Sequence, residues 1–64
     1  MSDLMTKANI ADPDGFYARL LAAHKGLTEA QSHALNARLV LVLANHVGDR
    51  AVLDQALRLA RDGA

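Results

Sequence analysis

Apolar side chains dominate the middle of the chain, where residues 39–44 read LVLVLA without a polar interruption. Six apolar residues fit either a buried strand or the middle of a helix, and their periodicity does not choose between the two. The flanking residues favour a helix, because Thr28 followed by Gln31 is the pattern of a capping box and Gly48 is a typical helix stop. We therefore predict a helix over about residues 29–46.

Winding this helix at 3.6 residues per turn produces two apolar stripes with heptad spacing. The bulky stripe contains Leu35, Leu39 and Val42. The second stripe would let another helix approach closely, and we name it the small-residue seam. Its members are Ala30, Ala34, Ala37, Leu41 and Ala44. Since a helix that is apolar on nearly all sides is normally enclosed by neighbours, the rest of the chain or another chain must cover it.

A shorter helix is predicted on each side of the central one. Residues 12–14 read DPD, a strong helix start, because an Asp caps free amides and a Pro at the first helical position loses no needed donor. This first helix should run over about residues 13–25 and end at Gly26. Asp49 has the position of a cap for a third helix, over about residues 50–61.

These elements predict an all-α fold, a compact three-helix domain over residues 12–64. The short links make the first two helices an antiparallel hairpin, to which the third helix is added. Residues 1–11 show no period and are predicted to form a mobile or loosely docked arm. If each outer helix covers one stripe of the central helix, the core contains Leu20, Leu39, Leu43, Val52 and Leu57.

Length and composition limit what the chain does alone. A domain of 64 residues buries only about 60% of its unfolded surface and is marginal without help. The chain has no cysteine, so association is the remaining common source of stability. Seven basic and seven acidic residues balance, which leaves no global field for nucleic acid or anionic lipid. No secretory signal and no membrane-length apolar run is present, which favours the cytoplasm.

The imidazoles of His24, His33 and His46 are the candidate metal ligands. Their spacings of nine and thirteen residues match no local ligand motif. His46 would also lie about 20 Å from His33 along the central helix. We therefore interpret His24 and His46 as helix-end residues that bind backbone carbonyls, and we expect neither a metal nor a cofactor.

A small polar site is a second candidate, formed by Asn45, His46 and Asp49. A carboxylate can orient an imidazole for acid–base catalysis. Capping of the third helix is the plainer explanation for Asp49, and no nucleophile lies nearby in the sequence. The two short links also leave no room for a substrate cleft within one chain, so we do not expect an enzyme.

The second and third helices superficially resemble a helix–turn–helix motif. DNA recognition by such a motif requires a basic face. Asp54 lies four residues from both Arg50 and Arg58, a spacing that forms local ion pairs on a helix. We therefore interpret this face as solvated and expect no nucleic-acid partner.

Two segments, NIADPDGFYARLLAAHKGLT and NARLVLVLANHVGDRAVLDQAL, resemble a family of small bacterial proteins catalogued as a domain of unknown function. The resemblance covers about residues 9–61, and its most specific parts are DPDGFY, NARL and ANHVGD. It implies no activity and no functional residues. Members of this family are often encoded near flavin-dependent aromatic hydroxylases and similar catabolic enzymes, so the resemblance implies an accessory role.

The expected function is protein–protein interaction, either as a homodimer or as an accessory subunit of a larger enzyme. The expected contact surfaces are the small-residue seam and the outer edge of the first helix near Tyr17. The aromatic pair Phe16 and Tyr17 is otherwise expected in the core, with the hydroxyl at its edge. The alternative function is a small-ligand or metal-binding helical domain that uses His and Asn side chains.

Overall fold

The computed structural model describes residues 3–63, and these form three helices and no strand. The helices are α1 (Pro13–His24), α2 (Glu29–Val47) and α3 (Arg50–Asp62). The all-α, three-helix prediction is confirmed, and every helix begins at its predicted residue and ends within one residue of the predicted end. The predicted arm and domain boundaries include Met1, Ser2 and Ala64, which lie outside the described residues.

Carboxylates cap the first amides of α1 and α3, as predicted. The amide of Gly15 donates a hydrogen bond to Asp12 Oδ1 at 3.1 Å. Asp49 Oδ1 accepts from the amides of Ala51 at 2.9 Å and Val52 at 3.2 Å. Each bond satisfies an amide that has no partner within its helix, which fixes where the helix begins.

Both ends of α2 carry the predicted signals. The capping box is complete, because the amide of Gln31 donates to Thr28 Oγ1 at 3.2 Å and the amide of Thr28 donates to Gln31 Oε1 at 3.0 Å. At the other end Gly48 has a φ of 73°, and its amide donates to the Ala44 carbonyl at 2.9 Å. Gly26, in the link before α2, has a φ of 81°. Left-handed backbone favours glycine, so both links depend on this residue type.

Asp12 and Gly15 compete for space at the start of α1. A Cβ on Gly15 would lie 2.7 Å from Asp12 Cγ, so an alanine there displaces the capping carboxylate. Glycine-to-alanine replacement inside a helix is worth about 0.8–1.0 kcal/mol, whereas loss of a cap costs about 0.5–2 kcal/mol. We therefore expect Gly15→Ala to give no net stabilisation in the wild type but about 1 kcal/mol in an Asp12→Ala background.

Urea denaturation of the wild type, both single variants and the double variant measures this coupling between Asp12 and Gly15. Thr28→Ala is the matched control background, because it removes a cap from a different helix. Gly15→Ala should have the same effect with and without that change. An equal effect of Gly15→Ala in the wild-type and Asp12→Ala backgrounds would contradict the steric explanation.

The three helices do not enclose a core, since none of the described residues is buried. The accessible surface is 5845 Å², whereas a folded monomer of this mass is expected to expose about 4,000 Å². The radius of gyration is 13.5 Å, compared with about 11 Å for a folded domain of this length. Only α2 and α3 share more than marginal contact among the described helices. The chain therefore leaves apolar helix faces uncovered.

The predicted core residues are not buried, which corrects the sequence-based assignment. Leu43 is 50% exposed and Leu57 is 67% exposed, while Leu20, Leu39 and Val52 are half-buried. Helical winding identifies the apolar side of a helix but does not show whether a neighbour covers it. We predicted that α1 and α3 would each cover one apolar stripe of α2. In this chain they leave much of that apolar surface exposed.

The aromatic pair on α1 is also exposed, so its assignment to the core is wrong. Phe16 is 47% exposed and Tyr17 is 59% exposed. In the segment before α1, the backbone amide of Leu4 donates a hydrogen bond to Gln55 Oε1 of α3 at 3.1 Å. This bond brings the segment before α1 against α3.

Candidate interaction surface

An apolar groove lies between the C-terminal half of α2 and the length of α3, with a volume of about 630 Å³. We name it the α2–α3 groove. Its large side chains are Val40, Leu43 and Val47 from α2 and Leu53 and Leu57 from α3. Ala44 from α2 and Ala56 and Ala60 from α3 form the rest of its apolar wall.

The spacing of the groove residues explains why they share one side of the α2–α3 hairpin, the name we give to α2, α3 and the short link between them. Val40, Leu43 and Val47 are separated by three and four residues, and Leu53 and Leu57 by four. Such spacings place side chains on one face of a helix. The turn at Gly48 then brings the two apolar faces together as the walls of one groove.

The side chains of the α2–α3 groove are largely open to solvent. Val40 is 62% exposed, and Leu53 is half-buried. Covering a Val or Leu side chain fully is worth about 1.5–3 kcal/mol relative to exposure. The groove is therefore a surface whose covering would stabilise the fold appreciably.

One end of the groove carries an ion pair. Arg50 Nε lies 3.2 Å from Asp54 Oδ1, one helical turn along α3. The predicted pairing of Asp54 with Arg50 is thus confirmed. An exposed pair of this kind contributes little to stability. Its effect is to place one positive and one negative side chain at the margin of the apolar groove.

The side chains of His24 and Ser32 join α1 to α2. His24 Nδ1 lies 2.9 Å from Ser32 Oγ, and both residues are half-buried. His24 is the last residue of α1, as predicted, but its ring bonds a hydroxyl rather than the backbone carbonyl we expected. Ser32 was missed because its proximity to His24 depends on the path of the link between the helices. The bond fixes the start of α2 against the end of α1.

Residues 4–62 match the model of a family described as Protein of unknown function (DUF2783). The chain belongs to this family. The resemblance inferred from DPDGFY, NARL and ANHVGD is thereby confirmed. No curated protein and no solved structure matches the chain. Both helices of the α2–α3 groove lie within the matched part of this DUF2783 protein.

The small-residue seam of the DUF2783 chain lies on a different side of α2 from most of the groove. Leu41 is the most exposed member of the seam at 70%. Ala30 and Ala37 are exposed, and Ala34 and Ala44 are half-buried. Ala44 also lines the groove, so the two surfaces meet at this residue.

The residues of the predicted polar site lie at the junction of α2 and α3. Asn45 and His46 are exposed near the end of α2, and Asp49 is half-buried. The Asp49 carboxylate binds the first amides of α3, which confirms its predicted role as a helix cap in this DUF2783 protein.

Within residues 3–63, no group of three or more His, Cys, Asp or Glu side chains is arranged to hold a metal ion. In the same range, no helix combines the length and the apolar character needed to cross a lipid bilayer.

Proposed function

We propose that this protein is a helical protein–protein interaction module that functions within an assembly. It acts either with a second copy of itself or as an accessory subunit of a larger enzyme. The observation that supports the proposal is the absence of any buried residue between positions 3 and 63. A chain whose apolar side chains remain uncovered gains most of its folding stability only when another molecule covers them.

The size of the uncovered surface supports association. The accessible area of 5845 Å² exceeds that of a typical folded monomer of this mass by about 1,900 Å². A standard protein interface covers about 800 Å² on each partner. The excess is therefore larger than one such interface, and an association of ordinary size would remove a substantial part of it.

The composition of the chain supports the same proposal. Ordering each residue costs about 1–2 kcal/mol of backbone conformational entropy, which burial must offset. A chain without cysteine has no disulfide to reduce that cost in the unfolded state. Its zero net charge does little to keep two copies apart. As part of the same proposal the module functions in the cytoplasm, and we propose no catalytic or nucleic-acid-binding role.

Binding of a small apolar ligand is the second candidate function. The α2–α3 groove has a volume of about 630 Å³, and ligand pockets of proteins measure about 300–1,000 Å³. A ligand pocket also needs polar groups that orient the ligand. In the groove such groups are limited to Arg50 and Asp54 at its margin, and His or Asn side chains do not line it. The protein-interaction role is therefore favoured.

Light scattering coupled to size-exclusion chromatography tests the proposal directly. The purified protein should elute with at least twice the mass of one chain, and its circular dichroism should show the helices described above. A protein that stays monomeric and fully helical up to millimolar concentration, and that forms no stoichiometric complex when co-expressed with its genomic neighbours, would overturn the interaction role. Saturable binding of a small apolar probe by that monomer would then support the second candidate.

A further inference from the structure

We infer that the α2–α3 groove is a self-association surface and that its occupant is the same groove of a second copy. Two chains then pack around a two-fold axis, with both α2–α3 hairpins forming one four-helix bundle. The inference rests on the proposed function and specifies both the surface and the partner. It assigns the contact to Val40, Leu43, Val47, Leu53 and Leu57 rather than to the small-residue seam.

The area available for contact fits a second copy of this small chain. The chain as a whole exposes roughly 1,900 Å² more than a typical monomer of its mass, of which the groove is one part, and a dimer of standard size covers about 800 Å² per partner. The groove lies between α2 and α3, which have the most contact with each other among the described helices. The second copy therefore covers apolar side chains that this limited contact leaves exposed.

A two-fold contact requires a self-complementary surface, because the same patch lies on both chains. The apolar wall of the groove meets this requirement, since no like charges are brought together at its centre. At its margin Arg50 and Asp54 supply opposite charges 3.2 Å apart. A copy related by a two-fold axis carries the same two opposite charges, so the contact does not set a margin of a single sign against itself.

The net charge of the chain also favours a second copy over a strongly charged partner. Seven basic and seven acidic residues balance, so two copies do not repel each other at long range. A highly charged partner would be recognised through a surface of opposite sign. The groove offers an apolar wall with a mixed-charge margin instead, and this chemistry matches the groove itself.

The distribution of apolar and polar residues along α2 limits which part of each hairpin is buried in the dimer. The stripe that contains Val40, Leu43 and Val47 continues toward the start of α2 through Asn36 and His33, both of which are exposed. These polar residues end the apolar surface halfway along the helix. Burying them would cost free energy unless they found hydrogen-bond partners. The contact is therefore confined to the C-terminal half of α2 and to α3, the part that forms the hairpin.

The bundle is the usual way for two helical hairpins to cover their apolar faces. Helical hairpins with short links pack as four-helix bundles around a shared core. α3 has 13 residues and is about 20 Å long, whereas the groove residues of α2, Val40 to Val47, extend about 11 Å at 1.5 Å per residue. The contact along α2 is therefore shorter than the contact along α3.

Matched substitutions on α2 and α3 test the surface. Val40 lines the groove and is 62% exposed, whereas Val42 is 64% exposed on another side of α2. Leu57 lines the groove and Leu59 does not, although both are exposed. We expect Val40→Glu and Leu57→Glu to raise the dimer dissociation constant at least about 100-fold. Val42→Glu and Leu59→Glu should change it by less than about threefold, as expected for surface substitutions.

A measurement on the wild-type chain guards against variants that simply fail to fold. Isotope-labelled and unlabelled chains are mixed, unfolded and refolded together, and isotope-filtered nuclear Overhauser spectra then report only contacts between chains. We expect such contacts from the methyl groups of Val40, Leu43 and Leu57. Methyl groups of Val42 and Leu59 should show none. This pattern would support the inference even if the glutamate variants were unfolded.

The outcomes separate the inference from the proposed function. A dimer that survives Val40→Glu and Leu57→Glu but dissociates with Leu41→Glu places the contact on the small-residue seam. Self-association would then stand, and the groove inference would be wrong. A chain that is monomeric alone but forms a complex with a different protein also overturns the inference and leaves the interaction role intact. A helical monomer without any partner contradicts both.

Discussion

The thermal unfolding midpoint of this protein should rise by about 10 °C when the chain concentration is raised a hundredfold. Folding and dimerisation are then one equilibrium, and each tenfold change in concentration contributes about 1.4 kcal/mol. A hundredfold change therefore contributes about 2.7 kcal/mol per dimer, and 1 kcal/mol shifts the midpoint of two such chains unfolding together by roughly 4 °C. The physical reason is that none of the described residues is buried within one chain. Circular dichroism from low to high micromolar concentration measures the shift.

The Val42→Glu chain is the control for the concentration dependence. Its substitution lies outside the α2–α3 groove, so the midpoint should depend on concentration as in the wild type. A midpoint that is the same at every wild-type concentration would show that one chain is stable alone. It would thereby contradict self-association as the source of stability.

Gly48→Ala should destabilise each chain by about 1–2 kcal/mol, the cost of left-handed backbone for a residue with a Cβ. Gly48 has a φ of 73°. A Cβ there would meet only the Asn45 carbonyl oxygen at an ordinary 3.8 Å. The penalty is therefore conformational rather than steric. A dimer contains this penalty once in each chain, so the free energy of unfolding per dimer should fall by about 2–4 kcal/mol.

Gly63→Ala is the matched control for Gly48→Ala. Gly63 also follows a helix, but its φ is −83°, and a Cβ there would meet only ordinary contacts. Urea denaturation at one fixed chain concentration should show no loss of stability for Gly63→Ala. If both variants lost the same free energy, the left-handed backbone at position 48 would not explain the result.

The helix limits could be predicted from the sequence because their causes are local. Asp12, Thr28 and Asp49 each bind an amide no more than three residues away. The turn at Gly48 likewise depends on the backbone of a single residue. None of these features requires knowledge of how the helices pack. The sequence therefore contains the information that defines each helix.

The covered and uncovered faces could not be predicted in the same way. The exposure of Leu43 and Leu57 depends on the angle at which α3 leaves the turn, and no residue pattern states that angle. The His24–Ser32 bond depends in the same way on the path of the link between α1 and α2. The contact role of the small-residue seam stays a prediction. The α2–α3 groove uses a different stripe of α2, which contains Val40, Leu43 and Val47.

The scarcity of long-range contacts within the chain has a consequence for the order of folding events. Helix formation from such local contacts takes about a microsecond, and proteins rich in local contacts fold fast. Encounter of two chains proceeds at about 10⁵–10⁷ M⁻¹ s⁻¹, which at micromolar concentration corresponds to roughly 0.1–10 s. In the proposed dimer the slow step is thus the meeting of two chains, and the concentration of free chains sets how long each new chain remains unpaired.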